Sequence, residues 1–185
     1  MKTAKFLFVV LFIASLMSCN EEEKSNTEDN SNAEISTFYF IRHAEKDRSD
    51  SANSDPELTQ DGLGRAMLWA TVLDYTTLDA IYTTDYKRTS MTAAPAAVKK
   101  DLSVEYYTPG EVNIESFKAA NVGKNVLVVG HSNTTPDFVN KMIGEEKYST
   151  MDDSDNASLF IVQVVGNKTT DVRLNVYSPV IDGAL

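Results

Sequence analysis

Four side chains have the types and setting for chemistry on an anion. His43 and His131 are the two histidines of the chain. Each follows a run of β-forming residues, Thr37 to Ile41 and Asn125 to Val129, so each stands at the carboxyl end of an expected strand. Arg42 directly precedes His43, and Arg88 lies in the run Thr83-Thr84-Asp85-Tyr86-Lys87-Arg88-Thr89. A guanidinium is a planar fork that binds oxyanions bidentately. A phosphoryl group in transfer spreads negative charge over its equatorial oxygens, so catalysis there is largely positioning and electrostatic stabilisation. Arg42 and Arg88 fit that task, and His131 adds a third donor. An imidazole with an ordinary pKa of about 6.5 offers a free base at neutral pH, and neighbouring cations keep it unprotonated. The two histidines do not share the spacing of a zinc site. No metal and no cofactor is called for.

The elements that must hold these residues alternate between short β-like runs and amphipathic helices. Leu63, Ala66, Met67, Ala70 and Leu73 recur at helical spacing and predict a helix with one buried face, capped by Thr59 or Asp61. Trp69 lies near that face and reads as packing. Asp79 to Thr83 predicts a second strand, and Tyr86 to Val98 a helix with Pro95 as a kink or boundary. Val104 to Tyr107 predicts a short strand and Val112 to Ala120 a helix. Asn125 to Val129 reads as a strand buried on both faces, and Thr134 to Ile143 as a helix stopped by Gly144. Two last runs, Ser158 to Val165 and Val172 to Tyr177, predict strands joined across Gly166-Asn167. Such alternation implies an α/β fold, a three-layer α/β/α sandwich with a mainly parallel sheet and an antiparallel edge. Ligands bind at the carboxyl strand ends of such sheets. Both histidines fall there.

Four segments in order carry a further signal: Arg42-His43-Ala44, Pro56-Glu57-Leu58-Thr59-Gln60-Asp61-Gly62, the Thr83 to Ala93 run around Arg88, and Val129-Gly130-His131-Ser132-Asn133. They resemble the histidine phosphatase superfamily, which includes the phosphoglycerate mutases and the SixA-type phosphohistidine phosphatases. The resemblance spans about 38 to 135 and implies a phosphoglycerate mutase-like fold for residues 37–185. It also implies that His43 attacks phosphorus through a ring nitrogen and becomes phosphohistidine, which water then hydrolyses. Arg42, Arg88 and His131 would hold the phosphate.

Two departures bear on subfamily. Ala44 stands where the family usually has glycine, as in its SixA-like branch. The short interval from Arg88 to His131 leaves no room for the long insertion of cofactor-dependent mutases. The general acid is less evident. An alkoxide leaving group needs a proton, and Glu111 is the expected donor by position, with Glu115 and Glu45 behind it. Ser132 and Asn133 either touch phosphate or cap the helix that follows. Lys46 and Arg48 border the pocket or are merely solvated. Three functions stay open: a phosphomonoesterase, a phosphohistidine or phosphoramidate phosphatase, and a phosphate-binding lipoprotein without turnover.

The first 18 residues read as a signal peptide: Lys2 and Lys5 precede an apolar run too short to span a bilayer. The run ends in Leu16-Met17-Ser18-Cys19, which resembles a bacterial lipobox, so Cys19, the sole cysteine, is expected to carry lipid and anchor the chain on an extracytoplasmic membrane face. Residues 19–36 are acidic and polar, as in a flexible tether. The formal net charge is −10, and removal of Lys2 and Lys5 makes it more negative. A surface this acidic argues against nucleic acid as partner. The expected partners are a small phosphorylated substrate or a phosphorylated envelope glycan, and the expected state is a monomer.

Overall fold

The computed structural model describes residues 34–178; the signal peptide, Cys19 and most of the tether lie outside the described residues. The chain alternates strand and helix: β1 (Ile35–Arg42), α1 (Gln60–Val72), β2 (Ala80–Thr83), α2 (Lys87–Lys100), β3 (Val104–Tyr106), α3 (Ile114–Ala120), β4 (Asn125–Gly130), α4 (Thr134–Ile143), β5 (Ser158–Val165) and β6 (Lys168–Asn175). Six strands form one sheet in the order β3-β2-β4-β1-β5-β6. The first four are parallel, and β5 and β6 extend the β1 side antiparallel. The expected parallel sheet with an antiparallel edge is therefore present.

Period-two alternation divides the side chains of each central strand between two cores. On one face Ile41, Ile81, Leu127, Val129 and Leu159 pack against Trp69, Ala70 and Leu73 of the α1 region and Ala93, Ala96 and Ala97 of α2. On the other, Phe38, Phe40, Val126, Val128, Phe160 and Val162 pack against Phe138, Val139 and Met142 of α4. Three layers follow. The chain leaves β1 toward the α1 face and leaves its neighbour β4 toward the α4 face. A crevice must open between their carboxyl ends, the usual ligand position in open α/β sheets.

The buried stripe of α1 differs from the expected one. It runs through Gly62, Arg65, Ala66, Trp69, Ala70 and Leu73, whereas Leu63 and Met67 are exposed. Arg65 is the cause: its Nε donates to Glu45 Oε1 at 2.7 Å, so a charged residue occupies an inward position that a hydrophobic pattern assigns elsewhere. Thr59 is the N-cap and accepts from the Gly62 amide at 3.1 Å. α2 runs on through Pro95 to Lys100. Gly144, at φ +72°, ends α4 as expected. β6 begins at Lys168, four residues earlier than its apolar run, and pairs with β5 from Val165↔Lys168. This edge strand faces water for most of its length, so its first half needs no hydrophobic residues.

Gly62 joins the fold to the site. A Cβ there would meet the Glu45 carbonyl oxygen at 2.2 Å. Gly62→Ala is expected to cost about 1–3 kcal/mol in urea unfolding through this overpacking, together with activity, because the Glu45 carbonyl belongs to the segment that carries His43. Unaltered unfolding and turnover in this variant would contradict the packing described.

Candidate active site

The parallel pairing of β1 with β4 places Arg42 opposite Gly130, so the next residues, His43 and His131, leave the sheet side by side. Their ring centroids are 5.4 Å apart at 66°. Four backbone groups of residues 43 to 45 are engaged by other elements. The His43 amide donates to the Gly130 carbonyl at 2.9 Å, and the His43 carbonyl accepts from Asn156 Nδ2 at 2.8 Å. The Ala44 amide donates to Thr92 Oγ1 at 2.9 Å, and the Glu45 carbonyl accepts from the Thr59 amide at 2.9 Å. Thr59 and Thr92, which the sequence shows only as motif letters, thus anchor the segment that carries His43.

The ring of His43 is buried, and its Nδ1 lies 2.7 Å from the Ala44 carbonyl oxygen. A carbonyl can only accept, so Nδ1 carries the proton and Nε2 keeps its lone pair. Burial lowers the His43 pKa from 6.5 to about 3; the Ala44 carbonyl opposes this, while the charges of Arg42, His131 and Arg88 add to it. Nε2 is therefore a free base over the whole physiological range.

His131 is held in the complementary form. Thr89 Oγ1 spends its proton on the carbonyls of Thr84 and Tyr86, so it receives the Thr84 hydroxyl proton at 3.1 Å. Thr84 Oγ1 must then accept from His131 Nε2, 2.8 Å away. His131 Nδ1 is left toward Arg88 Nη2, at 3.5 Å. Burial, then the charges of Arg88, Arg42 and Lys46, bring the His131 pKa to about 4. A bound phosphate dianion would reverse the sign of that local field and let Nδ1 take a proton and donate it.

Both expected arginines are in place, with unequal freedom. Arg42 is 2 % exposed, and its Nη1 donates to the carbonyls of Asp152, Asp153 and Asp155 at 2.9–3.2 Å. Its Nη2 donates to Asp153 Oδ1 at 2.8 Å. The expectation of two open donor forks is corrected here, because the 152–155 loop takes the distal end of Arg42. Nε of Arg42 is buried without a hydrogen-bond partner among the described residues, so the side-on edge is what it can offer an anion. Arg88 has more to give: Nε and Nη1 make no hydrogen bond among the described residues, although Nη1 is 3.5 Å from Asp55 Oδ1. The Arg48 guanidinium beside Asp153 is the main reason that carboxyl is held below its usual range. Lys46 is half-buried and its ammonium pKa is lowered, by desolvation first and by Arg88 and Arg48 next. It belongs to the cationic rim.

The candidate acids separate by position. Glu111 is exposed in the segment after β3, at the carboxyl end of the sheet, where Tyr107 reaches the Val129 carbonyl. Glu115 lines a different cavity, with Glu34, Ser36 and Gly166 at the amino end of β1, and bonds Lys118. Glu45 is tied to Arg65. Asn133 is the N-cap of α4 without a side-chain cap bond, and the Ser132 carbonyl accepts from Met151. Asn156, Asp153 and Asp55 do not stand out in the sequence: they lie in loops and carry no periodic signal, although Asp55 directly precedes the Pro56 segment.

The fold and the site define an α/β protein that gathers two neutral imidazoles and two guanidinium groups at a strand-end crevice. The sequence model of the histidine phosphatase superfamily (branch 1) matches residues 38–108. A search of curated proteins found no match. Solved structures share the fold. The protein histidine phosphatase SixA complexed with tungstate is 14% identical, with TM-score 0.61, over 75% of this chain and 96% of that one. Mycobacterial glucosyl-3-phosphoglycerate phosphatase is 14% identical, with TM-score 0.58, over 77% and 100%. Phosphoglycerate mutase from Bacillus anthracis str. Sterne is 17% identical, with TM-score 0.61, over 84% and 99%. Over residues 38–108 the chain is similar to the histidine phosphatase superfamily, and its fold is shared with these solved structures.

The lowered pKa values have a consequence for stability. Below pH 6.5 the unfolded chain protonates both histidines while the folded chain holds them neutral down to about 4 and 3. The unfolded state then binds more protons, so stability falls as pH falls through that window. The thermal midpoint is expected to drop from pH 7 to pH 4, and His43→Asn, which cannot titrate there, to flatten part of that slope. A native slope in the variant would contradict the assignment.

Proposed function

We propose that this chain is an extracytoplasmic, lipid-anchored phosphatase that hydrolyses a phosphomonoester through a phosphohistidine on His43. One observation carries the reading. Among the described residues, Arg42 Nε, Arg88 Nε and Arg88 Nη1 are buried guanidinium nitrogens without hydrogen-bond partners, and their charges bear on an imidazole that keeps Nε2 free. Buried donors of this kind cost stability unless an anion meets them. A phosphoryl group does so and brings its phosphorus to Nε2.

In the first step the Nε2–P bond forms as the ester P–O bond breaks. Arg42, Arg88 and a protonated His131 hold the equatorial oxygens, and Glu111 gives the leaving oxygen its proton. Water then attacks phosphorus, its proton returns to Glu111, and the N–P bond breaks to restore neutral His43. No metal is needed in this scheme. Cys19 carries the lipid, and the substrate is a small phosphorylated molecule or a phosphorylated envelope glycan.

A second reading has its own support. The carboxylates that touch the two arginines are already engaged, Asp153 by Arg42 and Arg48, and Asp55 by Arg88 and the Lys87 amide. Of the expected three acids, Glu115 lies at the other end of the sheet and Glu45 is tied to Arg65, which leaves the exposed Glu111. A phosphohistidine or other phosphoramidate substrate, whose leaving group needs less assistance, would suit such a site.

Rapid-quench labelling with a phosphoester is expected to trap an acid-labile phosphoenzyme that His43→Ala abolishes. Phosphate binding without any labelling would leave a binding protein instead. Glu111→Gln is expected to slow alkyl phosphate turnover by roughly 10²–10⁴-fold, as removal of a general acid does, and to spare p-nitrophenyl phosphate. Equal effects on both substrates would remove Glu111 from the acid role.

A further inference from the structure

Tyr86 occupies a position where its residue type is a poor local choice. It is the N-cap of α2, a place that favours Ser, Thr, Asp or Asn because their side chains accept an orphan amide. Tyr86 makes no such bond. The missing acceptor comes instead from Asp55, in a distant loop, which takes the Lys87 amide at 2.9 Å. A helix start that gives up its own cap and borrows one from elsewhere points to a second demand on the residue.

The ring meets that demand. The Arg88 guanidinium carbon stands 4.2 Å from the Tyr86 ring centroid, within cation–π range. The same ring meets His131 at 5.1 Å between centroids and 87°, edge to face. One side chain therefore touches both groups that flank the nucleophile on the β4 side. Its backbone is fixed on each side: the amide donates to the Thr84 carbonyl at 2.9 Å, and the carbonyl accepts from the Ser90 amide at 3.0 Å and from Thr89 Oγ1 at 2.9 Å. Thr84 and Thr89 are the residues that set the tautomer of His131. Tyr86 is 41% exposed, so the ring stands at the rim and is not held there by core packing.

We propose that Tyr86 is a positioning residue that braces Arg88 against His131, fixing the separation of the two donors that receive the phosphate oxygens. This rests on the phosphatase reading for its kinetic consequence but not for its effect on anion binding. Without the ring, Arg88 swings toward Asp55, its ion-pair partner at 3.5 Å, and His131 loses one of its two ring neighbours.

The test uses the full chain with p-nitrophenyl phosphate as substrate and inorganic phosphate as ligand. In Tyr86→Leu, kcat/KM and phosphate affinity both fall roughly tenfold, the scale of one partly desolvated cation–π contact. The thermal midpoint stays near the native value. Tyr86→Phe keeps the ring and restores both quantities. In an Arg88→Ala background the further loss on Tyr86→Leu is smaller than in the native chain, because one of the two braced groups is gone. Native kinetics and phosphate affinity in Tyr86→Leu would overturn the proposal, as would a Tyr86→Phe variant as impaired as the leucine one. A native chain that binds phosphate but releases none from p-nitrophenyl phosphate sinks the phosphatase reading, and calorimetric phosphate binding to the same variants still decides the role of Tyr86.

Discussion

The site depends on one hydrogen bond, from His43 Nδ1 to the carbonyl oxygen of Ala44. It decides which nitrogen bears the proton and leaves Nε2 as the lone-pair donor. A bond of this kind is useful only if the carbonyl cannot turn away. Gly130, Asn156, Thr92 and Thr59 each engage a backbone group of residues 43 to 45. These four residues come from β4, from the loop before β5, from α2 and from the cap of α1. The fold thus converges on a three-residue strap, and the packing of α1 and α2 against the sheet has a chemical purpose as well as a thermodynamic one.

Holding cations and neutral imidazoles away from water is costly, and the structure offsets that cost unevenly. Arg42 is almost fully satisfied by the carbonyls and carboxylate of the 152–155 loop. Arg88 is held more loosely by Asp55 and the Tyr86 ring. The difference divides the labour: Arg42 is a fixed wall that offers one edge, and Arg88 is the donor with unspent nitrogens. Burial and cations act together on both histidines, so the His43 lone pair is free across the neutral range.

Much of this was legible in the sequence because strand ends, cap residues and close-packing glycines are local signals. Thr37 to Ile41 and Asn125 to Val129 announced the strands, and their parallel register then brought His43 to His131. Other parts were not legible, for physical reasons. Arg65 is a charged residue at an inward position, so a hydrophobic stripe drawn without it rotates toward Leu63 and Met67. The first half of β6 is an edge with little to bury, and its polar Lys168 to Asp171 reads as loop. Asn156, Asp153 and Asp55 act through backbone and guanidinium contacts across more than thirty residues of sequence, for which spacing gives no rule. Tyr86 could have been flagged as an ill-suited N-cap, but its ring contacts need coordinates.

Everything at the site turns on His43 being a neutral base with its proton on Nδ1. The most direct measurement is ¹⁵N NMR of histidine-labelled protein from about pH 5 to about pH 8, the range in which an unperturbed imidazole titrates. A protonated Nδ1 and an unprotonated Nε2 are expected for His43 throughout, with phosphorus on Nε2 in the trapped phosphoenzyme. A His43 ring that titrates near pH 6.5, or a phosphoenzyme linked through Nδ1, would contradict it.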